Sequence, residues 1–163
     1  TGIMPRETTE GKAAYTVKVN HLMVLTDSMI VCHLAESIWG PVEINQVVVD
    51  ILNTVTGMEL TVAEAELTAE RIWNVMRAFA VREGLRRRDD SLPKRFLTEP
   101  IPDGPSKGMV ITPEMLETMK DEYYQIRGWD RETGIPTPQR LLRLDLPDIA
   151  EDMKKILGRE KER

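Results

Sequence analysis

The sequence has one cysteine, Cys32, and two histidines, His21 and His33. With a single thiol, no disulfide framework can form within the chain. A complete thiolate metal centre is also excluded, because structural zinc and iron–sulfur sites draw on three or four such ligands. No apolar run approaches the roughly 18 residues of a membrane span. The longest apolar zone, from Leu22 to Ile38, is broken by Asp27, His33 and Glu36. Excess positive charge is absent as well: the net charge of -5 argues against general affinity for DNA or anionic membranes. No signal peptide is visible at Thr1, so a cytoplasmic location is expected. There is no internal repeat, Ser-His-Asp arrangement, glycine-rich phosphate loop or paired-carboxylate motif.

What remains is a chain of 163 residues, 41% apolar and 30% charged, enough to build one domain with a real core. Its periodicity predicts an all-α fold, an irregular multihelical domain with a long proline-rich loop. A first helix is expected from Lys12 to about Thr26, with Ala14, Val17, Val24 and Leu25 facing inward, although its β-branched residues make strand a rival. Ile44, Val47, Val48, Ile51, Leu52 and Val55 recur at helical spacing, and Gly57 is placed to end that helix in the left-handed conformation. Thr61 to Glu64 form a capping box before a stripe of Ala65, Ala69, Ile72, Met76, Phe79 and Ala80. The run Arg86 to Asp90 reads as a solvated helix end answered by two aspartates, in preference to a phosphate or nucleic-acid site.

Residues 91–111 carry four prolines and form a connection of unusual length, whose Leu92, Phe96, Leu97 and Ile101 imply packing against a neighbour. Thr112-Pro113 opens a helix with Met115, Leu116, Met119 and Tyr123 on its apolar face, closed by Gly128. Thr137-Pro138 opens a short one through Leu144, and Pro147 opens the last, with Ile149, Met153, Ile156 and Leu157 inward and a frayed tail from Gly158.

Against this helical background Asp27-Ser28-Met29-Ile30-Val31-Cys32 is similar to the Asp-x-x-Gly-Leu-Cys motif of the aldehyde ferredoxin oxidoreductases. The likeness continues in order through Asp50 to Gly57, Glu70 to Asn74, Arg77, Phe79, Arg82 to Gly84, Asp89 to Phe96, Glu99 to Pro105, Glu122 to Asp130 and Gly134 to Thr137. The chain therefore resembles the C-terminal helical region of that family over most of residues 12–144.

The resemblance implies a single helical domain, residues 1–163, forming roughly the last quarter of a larger oxidoreductase. In the intact enzyme it implies oxidation of aldehydes to carboxylic acids, with electrons passing through a 4Fe-4S cluster to ferredoxin. It implies a tungsten or molybdenum bis-pterin between domains, with three cluster cysteines supplied from elsewhere. Cys32 then becomes the fourth cluster thiolate, and Asp27 becomes a pterin contact, since a carboxylate can accept adjacent N–H donors as it accepts an arginine fork. Val31 stands for the motif leucine and lines the cofactor through its backbone. Ile30 stands where the motif has glycine and would be strained if that position needs a positive φ. His33 follows the ligand and is a candidate to tune the cluster by hydrogen bonding; His21 reads as packing or surface.

The expected partners are the remainder of the enzyme and ferredoxin, with no nucleic acid and no membrane. Alone, the chain is expected to be inactive and free of cofactor; with an uncovered apolar face around Asp27 to Ile38, it is expected either to self-associate or to have segments near residues 1–40 disordered or rearranged. A rival reading makes it a stand-alone helical protein-binding module descended from such an enzyme.

Overall fold

One long helix carries the architecture. The computed structural model describes residues 8–32 and 43–161. Among these are seven α-helices, one short 3-10 turn at Arg87–Asp89, and no strand beyond an isolated bridge between Trp129 and Pro136. The spine is α3 (Val62–Arg82), which follows α1 (Lys12–Ser28) and α2 (Gln46–Thr56). It contacts both of them and α7 (Pro147–Lys161). The short α4 (Lys94–Thr98), α5 (Pro113–Arg127) and α6 (Pro138–Arg143) complete the set.

The helix ends follow the sequence closely. Thr61 accepts the Glu64 amide while the Glu64 side chain accepts the Thr61 amide, the reciprocal box its spacing predicts. The Asn45 carboxamide caps α2 by accepting from the Val47 and Val48 amides, and Gly57 ends that helix at φ 72°. Thr112 and Thr137 each accept an amide at the start of a helix with proline in its first turn.

The helix faces follow the sequence less well. On α1 the buried side is Ala13, Val17, His21, Leu22, Val24, Leu25 and Thr26, while Ala14 is exposed. On α2, Val48 and Val49 are buried, whereas Val47 and Val55 face solvent. On α3 the buried side is Ala65, Ala69, Glu70, Asn74, Ala78 and Val81, and the expected core residues Met76 and Phe79 are exposed. Three alanines on the packed side of α3 let neighbouring helices approach closely, so the larger residues of the stripe turn outward. On α5 the stripe of Met115, Leu116, Met119 and Tyr123 is half-buried, and the fully buried positions are Tyr124 and Arg127.

Two apolar clusters result. The first gathers Leu22, Leu25, Val48, Val49, Ala65 and Ala69 around the α1–α2–α3 contact. The second gathers Ala78, Val81, Ile135, Leu141, Ala150 and Met153, with Ile149, Ile156 and Leu157 packed on it as the last helix predicts. That helix continues through Lys161, so the tail from Gly158 is helical rather than frayed.

The arginine run is also tied down more firmly than a solvated helix end. Arg86 donates to the carbonyls of Val81, at the open end of α3, and of Leu85, just past it, and to Glu160. Arg87 donates to Asp121 and to the Arg131 carbonyl. Only Arg88 is left extended into water, 3.9 Å from Asp89. The proline-rich connection contains the single-turn α4, and Phe96 and Ile101 stay exposed. Leu92 and Leu97 are half-buried, Leu92 against the groove lined by Trp73 and Leu116. Among the described glycines Gly134 is the most crowded: at φ 72°, an added Cβ would lie 2.5 Å from the Arg77 guanidinium and 3.0 Å from the Tyr124 hydroxyl.

Candidate functional site

The end of α1 places the motif residues. Met29 is the C-cap; the Ile30 amide donates to the Asp27 carbonyl at 3.0 Å and the Val31 amide to the Thr26 carbonyl at 3.1 Å. This crossed pair of bonds is a Schellman termination, which puts the residue after the cap in the left-handed region. That residue is Ile30, with φ 58°. Glycine is the default there because a Cβ is penalised, and a β-branched residue is the most penalised of all. The strain expected from the isoleucine-for-glycine exchange is therefore present in the backbone.

The turn displays its side chains rather than burying them. Asp27, Ile30 and Cys32 are exposed, while Met29 and Val31 are half-buried. Leu22, Val24 and Leu25, one turn back, are buried in the first apolar cluster and fix the base of the turn. His33 and the rest of the uncovered face expected up to Ile38 lie outside the described residues. Among the described residues no grouping of three His, Cys, Asp or Glu side chains could hold a metal ion. The donor chemistry thus fits one corner of an iron–sulfur cluster, a single reachable soft sulfur, and not a whole site.

The residue the sequence placed wrongly is His21. It is neither plain packing nor surface, but joins a buried polar network between the two apolar clusters. Its Nδ1 meets the carboxylate of Glu66, and its Nε2 lies 2.6 Å from Glu70 Oε2. Arg127, fully buried on α5, also donates to Glu70 Oε2. Its Nη1 lies 2.8 Å from the His21 ring nitrogen, so two donors share one carboxylate oxygen. Arg140 donates to the other Glu70 oxygen at 2.9 Å, and the Asn74 amide does so at 2.8 Å. Trp129 then donates to Asn74 at 2.9 Å. One carboxylate on α3 thereby binds groups from α1, α5 and α6. The four-residue spacing of Glu66, Glu70 and Asn74 was visible in the sequence. Nothing there pairs it with partners on other helices, 49 to 70 positions away in the pairs to Glu70.

The network has a pH signature. Burial acts to lower the His21 pKa, but its bonds to Glu66 and Glu70 prevail and it is raised above the ordinary 6.5. Burial likewise opposes ionisation of Glu70, yet His21, Arg127 and Arg140 hold it at about 2 instead of 4.5. The His21 contribution to stability is complete below about pH 6.5 and is lost as pH rises through the raised value. The Glu70 contribution is complete above about pH 4.5 and is lost as pH falls toward 2. Urea midpoints are thus expected to peak between these limits and to fall on the alkaline side. The His21→Gln variant is expected to lose that alkaline slope; retention of the slope would remove His21 as its origin.

Beside the network, α1, α3 and α5 enclose a groove of about 550 Å³, whose apolar lining includes Trp73, Met76, Leu116, Met119 and Tyr123. At its edge Arg77 pairs with Asp90 at 2.6 Å, donates to the Gly134 carbonyl and lies 4.7 Å from the Trp129 ring centroid. Burial would raise the Asp90 carboxyl, but Arg77 and the Tyr124 hydroxyl hold it below the usual range.

Residues 2–146 match the family model described as aldehyde ferredoxin oxidoreductase, domains 2 and 3. The chain belongs to the aldehyde ferredoxin oxidoreductase family. It is 35% identical over 133 residues to the tungsten-containing aldehyde ferredoxin oxidoreductase of Pyrococcus furiosus, covering 81% of this chain and 21% of that protein. The enzyme of the same description from Thermococcus kodakarensis is 42% identical over 88 residues, covering 53% of this chain and 14% of its own length. The chain therefore spans about a fifth or less of the curated relatives it matches. Among solved structures, the active-site complex BamBC of benzoyl coenzyme A reductase, with 1,5-dienoyl-CoA, is similar over 61% of this chain and 13% of its own, at 28% identity and a TM-score of 0.48. No described helix is long and apolar enough to cross a membrane.

Proposed function

We propose that residues 1–163 act as one helical domain, the C-terminal part of a larger oxidoreductase that converts aldehydes to carboxylic acids. The overall change is RCHO + H2O → RCOOH + 2 H⁺ + 2 e⁻, with the two electrons leaving through a 4Fe-4S cluster to ferredoxin. The observation that carries this reading is the Cys32 thiol, free and exposed just past a helix end, in a family member with no second cysteine. A thiol so placed can be completed only by ligands from elsewhere.

On this reading a tungsten or molybdenum bis-pterin, when bound, would supply the two-electron chemistry and an iron–sulfur cluster the route out for the electrons. This chain's residues hold and insulate. Cys32 would supply the fourth thiolate to the cluster. Asp27, exposed one turn earlier, accepts N–H donors from the pterin edge. The backbone at Val31 lines the cofactor side of the turn. The Schellman bonds fix the spacing between the carboxylate and the sulfur, and the buried base of α1 keeps both from drifting.

The chain alone supplies one thiolate and is expected to assemble no four-iron chromophore after anaerobic treatment with ferrous iron and sulfide. It is also expected to reduce no viologen when given an aldehyde. Aldehyde-dependent dye reduction by the purified, metal-free chain would overturn its assignment as part of an enzyme completed elsewhere.

A further inference from the structure

The place of the motif end of α1 is set by more than apolar packing. Leu22, Met23, Val24 and Leu25 are consecutive, so they point all ways round the helix, and each is buried or half-buried. A segment apolar on every side loses uniqueness of position before it loses stability. The hydroxyls of Thr16, Thr26 and Ser28 do not restrain it either, since each donates back to a carbonyl of its own helix. Two neighbouring side chains do reach across. His21 joins α3, with Nε2 2.6 Å from Glu70 and Nδ1 against Glu66. Asn20 joins α5, its amide oxygen accepting from the Tyr123 hydroxyl at 2.9 Å and from Arg127 at 3.3 Å. Partly or fully buried polar pairs of this kind satisfy their bonds in one register only, and fixing register is their best-attested use.

A slip of one residue along α1 moves its far end by about 1.5 Å and turns it by about 100°. Asp27 lies six and Cys32 eleven positions beyond His21, so both would leave their places. We propose that Asn20 and His21 are positioning residues: together they clamp α1 to α3 and α5, fix its register, and thereby set where Asp27 and Cys32 meet the cofactors. The inference rests on the reading of Asp27 and Cys32 given above. Its leverage is large, since a misplacement of about 1 Å by a change far from the chemistry costs about a hundredfold in rate.

Cys32 is the only thiol of the chain. Nitroxides on it and on Arg82→Cys, at the exposed far end of α3, therefore report the register by pulsed electron paramagnetic resonance. In the double variant Asn20→Leu with His21→Leu, the distance distribution is expected to broaden by about 1.5 Å or more, the rise of one residue. His21→Gln keeps an amide N–H for Glu70 and is expected to leave the distribution sharp. In the full-length, cofactor-loaded enzyme the double variant is expected to alter the spectrum of the reduced cluster and to slow aldehyde-dependent ferredoxin reduction at least about tenfold. His21→Gln is expected to retain both. Should the double variant fail to fold, His21→Leu alone, which leaves Glu70 bound to Arg127 and Arg140, is read in the same way. A sharp, unmoved distance in a folded variant would overturn the proposal, as would a broadened one with cluster spectrum and rate unchanged. If full-length Cys32→Ser retains all four irons, the ligand reading itself fails. The distance measurement needs no cluster and still decides whether Asn20 and His21 set the register.

Discussion

Glu70→Gln is expected to destabilise the chain by about 3–5 kcal/mol, the range for removing one member of a buried, hydrogen-bonded ion network. Among the described residues Glu70 is the only carboxylate joining the fully buried Arg127 to Arg140 and His21. Without its charge, the Arg127 guanidinium stays buried beside the His21 ring, with the Asn20 amide oxygen and the Tyr123 hydroxyl as its other acceptors. A neutral amide can replace neither the Coulombic attraction nor the full set of accepted bonds. Removing both partners, as in Glu70→Leu with Arg127→Met, takes out the uncompensated charge along with its counter-ion. That double variant is expected to lose at least about 1 kcal/mol less than the sum of the single losses, because neighbours in one network are not additive. Urea unfolding at pH 6, below the raised His21 pKa and well above that of Glu70, measures all of these. A Glu70→Gln loss under about 1 kcal/mol would mean that the network orders the helices without stabilising them.

The second large effect concerns Cys32→Ser in the full-length enzyme. Changes outside the direct ligands of a metal commonly cost about 10–100-fold in affinity or activity. With Cys32 as the proposed cluster thiolate, its loss is expected to exceed that. Iron per protein should fall below four, and aldehyde-dependent ferredoxin reduction should fall by more than about a hundredfold. In the chain alone the same change should leave stability within about 0.5 kcal/mol, as for other exposed positions away from structural features. That pairing separates a missing ligand from a misfolded domain. A full-length variant with four irons and intact turnover would remove Cys32 from the cluster.

Local chemistry accounts for what the sequence made legible. Thr61 to Glu64, Thr112-Pro113, Thr137-Pro138 and Gly57 act within one turn of the chain, so their outcomes were written in neighbouring residues. The strain at Ile30 belongs with them: the helix end sets φ 58° through bonds within one turn, and the isoleucine at that position is a local fact of the sequence.

The faces of the helices were legible only in part. Apolar periodicity marks a stripe but does not say which edge of it meets another helix. On α3 the alanine edge won, because small side chains admit close packing, and Met76 and Phe79 turned out to solvent. His21 was misread for a related reason. A histidine at a buried helical position is packing until a carboxylate arrives from another element. Glu66 and Glu70 come from a helix more than forty residues further along.

The sequence by itself therefore determined the helical class, the punctuation of the helices, the family and the five-residue spacing of Asp27 and Cys32 around one helix end. All of these depend on residues a few positions apart or on an ordered string of them. Only the tertiary structure decided that Glu70 gathers His21, Arg127 and Arg140 into one buried charge network, and that the larger residues of α3 face outward. Both depend on which helices meet, and that choice balances burial, desolvation and ion pairing over the whole chain at once.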